Sequence, residues 1–191
     1  WQQAFDIIKE YNAKHPDNPI GITIHAGETF STLDNNGNMI YSADGIKYAI
    51  ENCGAVRIGH GLQLGEFPDL IPFVKKHNVT VEINPTCNIL SIPEGMDRLS
   101  EHPINILSQK GVSTTIGSDD PGICSTNSSL EVAKLWFMNY TLDTNGNQGF
   151  EGTVGLALNG INSAFISSQQ KIEARNKFLY QIEQVRNIME Y

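Results

Sequence analysis

Two histidines, a glutamate and an adjacent pair of aspartates stand where apolar runs give out in this chain of 191 residues. Ile22-Thr23-Ile24 leads into His25-Ala26-Gly27-Glu28, Val56-Arg57-Ile58 into Gly59-His60-Gly61, and Thr114-Thr115-Ile116 into Gly117-Ser118-Asp119-Asp120-Pro121. Imidazole with carboxylate is a borderline ligand set suited to zinc. A catalytic zinc takes about three protein ligands and keeps one position open for a water whose pKa it lowers to about 7. His25 and Asp119 supply two such ligands, and His60 is a candidate third. Glu28 follows His25 closely enough to carry a proton in the same pocket. Gly27 between them permits a tight turn and a close backbone approach to substrate. Asp119 and Asp120, two adjacent carboxylates, are costly to hold together without a cation. In an extended segment they point to opposite sides, so one can ligate a metal while the other faces substrate.

Each motif has a plainer reading when taken alone. His25 then packs, Glu28 is a solvated loop carboxylate, Gly-His-Gly is a flexible strand end, and Asp-Asp-Pro is a turn. The series changes that reading, because barrel enzymes keep their chemistry at the C-terminal ends of successive parallel strands. A further junction, Glu82-Ile83-Asn84-Pro85-Thr86-Cys87-Asn88, fits the series: Glu82 reads as a support for the ligands and Cys87 as packing.

The elements that must position these groups alternate. Trp1 to about Lys14 has Ala4, Phe5, Ile8 and Tyr11 on one helical stripe. Strands are expected at Ile20–Ile24, Val56–Ile58, Val79–Ile83 and Ser113–Ile116. Helices are expected from Ser42, as cap, to about Asn52, from Pro68 to Lys76, and from Pro103 to Lys110, with a loop running through Pro85 and Pro93. Three helices follow, over Leu130–Leu142, about Gly149–Phe165 and Ser168–Met189. Short, nearly continuous apolar strands alternating with helices predict a parallel α/β sheet buried on both faces. About four strands are half of a closed barrel. The expectation is one partial domain over residues 1–191, the C-terminal half of a (β/α)8 TIM-type barrel without its N-terminal half.

Composition narrows the partners. Thirteen Lys and Arg against 21 Asp and Glu give a formal charge of -8, with no basic cluster, which argues against nucleic acid. No apolar run approaches the roughly 20 residues that span a bilayer. Cys53, Cys87 and Cys124 form no Cys-x-x-Cys pair and suit a reducing, cytoplasmic setting rather than a disulfide framework.

The motifs, taken together, resemble the adenosine deaminase family of metal-dependent amidohydrolases. The likeness runs through His25-Ala26-Gly27-Glu28, Arg57-Ile58-Gly59-His60-Gly61, Glu82-x-Asn84-Pro85-Thr86-x-Asn88 and Ser118-Asp119-Asp120-Pro121, in the family's order and spacing. Leu156–Phe165 resembles the family's C-terminal helix segment. The resemblance implies one Zn2+ held by His25 and Asp119, and Glu28 as proton donor to purine N1. It implies that His60 orients and helps deprotonate the water that zinc activates, and that Asp120 hydrogen-bonds purine N7. The reaction implied is hydrolytic deamination of adenosine or deoxyadenosine to the inosine product and ammonia. Adenine, AMP or an N6-substituted adenine nucleotide are alternative substrates, and an inactive fragment or binding module is the alternative role. The family's His-x-His zinc pair has no counterpart here. The expectation is that these 191 residues by themselves are inactive and associate with the missing half or with copies of themselves.

Overall fold

The four strands of the sheet are short and rich in Ile, Val and Thr, side chains that suit a pleated, buried surface. In the computed structural model, which describes residues 2–28, 32–33, 36, 39–40, 43–91, 102–137 and 149–189, they are β1 (Thr23–Ala26), β4 (Arg57–His60), β5 (Thr80–Ile83) and β6 (Thr114–Ile116). They lie in the order β1-β4-β5-β6, each parallel to its neighbour. Between β1 and β4 a second, two-stranded antiparallel pair forms from β2 (Thr32–Leu33) and β3 (Met39–Ile40).

Helices make each parallel crossover. The first is α2 (Asp44–Glu51), and a 3-10 turn at Pro68–Leu70 runs into α4 (Ile71–Lys76) for the second; α6 (Ile104–Gln109) makes the third. Each buries an apolar stripe on the sheet: Ile46 and Ile50, Ile71 and Val74, Ile104 and Leu107. These meet Ile58, Val81 and Ile83 from the strands in one core. Each such side chain, fully buried, contributes about 1.5–3 kcal/mol. Phe5 and Ile8 of α1 (Gln2–Lys14) pack on the edge of that core.

After β6, the chain is helical: α7 (Ser128–Phe137), α8 (Gly149–Ser163) and α9 (Ser168–Met189). Helix α8 lies against β6, where Asn159 donates its amide to the Thr114 carbonyl at 3.0 Å. Arg186 of α9 pairs with Glu151 of α8 at 2.7 Å. No helix of the described residues is long and apolar enough to cross a membrane.

The α/β alternation and parallel sheet follow the sequence reading, with corrections. The first two strands begin and end later than expected, β1 at Thr23 rather than Ile20 and β4 at Arg57 rather than Val56, so His25 and His60 sit within them rather than just past them. Burial on both faces holds for most of β4 and β5, whereas Thr23 and His25 of β1 are exposed. Helix α3 (Gln63–Glu66) stands where no element is expected, and α5 (Pro85–Ser91) stands where the loop through Pro85 is expected. Proline at the first helical position favours α5, because its missing N–H is one that a helix start leaves unpaired anyway. Ser42 and residues 92–101 and 138–148 lie outside the described residues; Ala43 stands at the cap position of α2.

Candidate active site

The C-terminal ends of the strands are laced together by backbone bonds. Gly61 N–H donates to the Ala26 carbonyl and Gln63 N–H to that of Gly27, both at 3.1 Å. Register places His25 beside Gly59. A Cβ on Gly59 would stand 3.3 Å from the His25 ring, so the bare glycine makes room for the imidazole on the face of β4. Gly27 turns the chain with φ +66 and delivers Glu28 next to the same space.

Two of the four non-glycine residues with positive φ among the described residues are His60 (67) and Asp119 (51). Such backbone costs of order 1–3 kcal/mol and persists where surrounding structure over-determines it. Asp119 is therefore not in extended chain, as the sequence reading supposed. It sits in a bend ahead of the turn at residues 121–125, and this curl brings its carboxylate back to the strand ends.

His25, His60 and Asp119 converge, with one ligand atom from each lying within 4.8 Å of the others. The two imidazoles are 5.0 Å apart between ring centres. His60 is fully buried, and its Nε2 lies 3.6 Å from Glu28 Oε1 and 3.6 Å from Asp119 Oδ2. Among the described residues that nitrogen has no hydrogen-bond partner. An orphaned buried ring nitrogen facing two carboxylates, with an imidazole alongside, fits a hydrated metal ion, and the His/Asp donor set suits zinc. Burial holds His60 below the usual imidazole range; the charges of Glu28 and Asp119 act against that shift.

The other expected residues fall in different places. Asp120 is exposed, and its carbonyl accepts the N–H groups of Ile123 and Cys124 in the turn. Among the described residues Glu82 makes no hydrogen bond to the trio; it accepts from Arg57 Nε and, at 3.0 Å, from Thr23 Oγ. Arg57 also reaches Ser163 Oγ of α8 at 2.8 Å, so this ion pair ties the sheet beneath the site to the last helices. Burial, with Cys124 and Asp119 alongside, pushes the Cys87 thiol up to about 12, which suits packing and not nucleophilic attack.

Three residues that matter here have no role in the sequence reading, although Asn88 stands in one of its motifs. Asn88 of α5 donates to His60 Nδ1 at 2.7 Å, and His102 lies behind it, 3.1 Å from Asn88 Oδ1. Glu131 of α7, fully buried, accepts from Thr86 N at 3.0 Å and from the hydroxyls of Thr86 and Thr126. These bonds and the Lys134 ammonium hold its carboxyl below the usual range against the opposing effect of burial.

The family model described as adenosine deaminase matches residues 2–181. The adenosine deaminase of Plasmodium gallinaceum is 35% identical over 144 residues, which cover 75% of this chain and 35% of the relative. The fold is similar to that of an adenine deaminase from Arthrobacter aurescens, with TM-score 0.73 and 19% identity over 95% of this chain and 47% of the other. It is equally similar to an amidohydrolase from Burkholderia ambifaria with bound Zn, TM-score 0.73 at 18% identity, over 99% of this chain and 46% of the other. The chain thus spans between a third and a half of the length of the proteins it matches.

Proposed function

The chain belongs to the adenosine deaminase family, and on that premise we propose that it supplies part of the site of a zinc-dependent purine deaminase. The substrate is adenosine or deoxyadenosine, and the products are the inosine nucleoside and ammonia. The observation that carries this reading is the convergence of His25, His60 and Asp119 around one gap, with Glu28 at its rim. The support for zinc is the donor set itself, together with the Zn bound by a protein of the same fold.

His25 and Asp119 are the residues that would hold the ion, which when bound acts as a Lewis acid and makes water nucleophilic at neutral pH. Glu28 gives a proton to purine N1, which raises the electrophilicity of C6; of the two protons of the attacking water, one leaves on the amino group as ammonia and the other returns to Glu28. His60, buried against the same gap, orients that water. Gly27 allows the purine close to the backbone, and Asp120 is the hydrogen-bond partner of N7, an acceptor that calls for the donating O–H form of the carboxyl. The activity belongs to the whole protein, in which strands from another segment or another copy complete the wall around the purine. Nucleic acid and membrane have no part in it. The cysteines, none of them bonded to another, suit the cytoplasm.

Adenine is the rival substrate, because a similar fold carries an adenine deaminase. Product-resolved assays on adenosine, deoxyadenosine, adenine, AMP and an N6-substituted AMP, with zinc content measured on the same sample, test the proposal. Deamination of adenosine at the highest kcat/KM with one zinc per site is expected. Turnover of none of the five by a zinc-replete protein would overturn it.

A further inference from the structure

Two backbone amides fix the polarity of a buried chain of side chains behind the site. Ile104 N–H donates to His102 Nδ1 at 3.2 Å, and Asn84 N–H donates to Asn88 Oδ1 at 3.3 Å. A backbone N–H can only donate. His102 Nδ1 therefore offers a lone pair, and the proton of the neutral ring sits on Nε2. The ring is neutral at ordinary pH, since burial lowers its pKa to about 3. Its Nε2–H then donates to Asn88 Oδ1 at 3.1 Å. With both donors on Oδ1, the amide of Asn88 has one orientation. Turned over, it would set its NH2 against two N–H groups. Its Nδ2 accordingly faces His60 Nδ1 and donates to it at 2.7 Å.

We propose that His102 and Asn88 are positioning residues that lock His60 in its Nε2–H tautomer, so that His60 presents a proton, not a lone pair, to the reaction centre. The surroundings agree. Nε2 lies 3.6 Å from an oxygen of Glu28 and an oxygen of Asp119, both acceptors, where a lone pair would be repelled and an N–H is welcome. Asn88 and His102 are both buried, which shields the relay from competing water.

Two consequences separate this from a simple cluster of ligands. An Nε2–H nitrogen cannot ligate, so His60 is not a metal ligand even though it lies among atoms that are. On the reading of the site as a deaminase, His60 steers the attacking water by donating a hydrogen bond to its oxygen, and acceptance of the water's proton falls to a carboxylate.

Long-range 1H–15N correlation spectra of the 15N-labelled protein decide the tautomer without any assay. The expected pattern is an unprotonated His60 Nδ1 and a protonated Nε2. Asn88→Asp places an acceptor where the amide donor stood and keeps the bonds from Asn84 and His102, so the tautomer should reverse. In the complete enzyme that variant should lose about 10²-fold in kcat, the scale of a misplaced proton, with KM changed less than about threefold. His60→Gln should leave zinc affinity within about threefold. A wild-type His60 protonated at Nδ1, a spectrum that Asn88→Asp leaves unaltered, or a tenfold loss of zinc affinity in His60→Gln would each overturn the proposal. The wild-type spectrum is decisive even if no variant folds. An Nε2–H spectrum in a protein that deaminates nothing sustains this inference and removes only the proposed activity.

Discussion

Asp119 and Glu28 both present a carboxylate oxygen 3.6 Å from His60 Nε2, yet substitution should separate their roles. Asp119→Asn keeps the shape and replaces an anionic ligand with a neutral amide that binds zinc poorly. The expected outcome in the complete enzyme is loss of activity that tracks loss of zinc, read by metal analysis of the purified variant. Full occupancy with unchanged turnover would remove Asp119 from the ligand set. Glu28→Gln should keep zinc and substrate affinity while turnover falls by roughly 10²-fold or more, as expected for a lost general acid. Metal loss in that variant would make Glu28 a ligand and sink the assignment. His102 carries a third prediction. Its imidazole titrates at about 3 in the folded chain against about 6.5 unfolded. Below pH 6.5 the unfolded state takes up the proton and the folded state does not, so the contribution is full above 6.5 and is lost as pH falls toward 3. The slope is about 1.4 kcal/mol per pH unit. Urea titrations between pH 6.5 and 5 should show a shallower acid decline in His102→Phe than in the parent; parallel declines would refute it.

Helix α5 shows where sequence reading stops at the level of elements. Asn84-Pro85-Thr86-Cys87-Asn88 carries residues that punctuate loops, and its composition predicts a loop. The N–H of Thr86 in its first turn is satisfied by Glu131, forty-five residues further along, and no local pattern announces a partner so distant. Glu131 also takes the Thr126 hydroxyl, so one buried carboxylate clamps the segment after β5 to the segment after β6. Glu131→Gln puts an NH2 among donors, and the expected cost is about 1–3 kcal/mol of stability, measured by denaturant midpoint. A shift below about 0.3 kcal/mol would mean the clamp is dispensable. By contrast, the strand–helix alternation was legible because apolar runs ended by Gly or Pro recur in regular order. The trio of His25, His60 and Asp119 was legible because each lies at a strand end. Asn88 stands in a motif with no role legible there, because a hydrogen-bond relay has no spacing rule, and His102 in Glu-His-Pro resembles any surface turn. The β2–β3 pair has two residues per strand, too few for alternation to register.

At the scale of the molecule, β1 pairs only with β4 among the described residues, and Thr23 and His25 on it are exposed. The other end of the sheet is better covered, since Asn159 of α8 reaches the Thr114 carbonyl of β6. An open strand edge and an uncovered inner face invite association. Expressed as these 191 residues by themselves, the protein should sediment as dimers or larger species and show no deaminase turnover. A zinc-replete, fully active monomer would refute both the half-barrel reading and the need for ligands from outside this stretch. The strand order has one more consequence. β4 docks on β1, β5 on β4 and β6 on β5, so every new strand adds to an edge laid down earlier in the chain. A polypeptide leaving the ribosome N-terminus first can therefore fold this stretch in step with translation, because among the described residues no strand pairing waits for a strand made later than the two it joins.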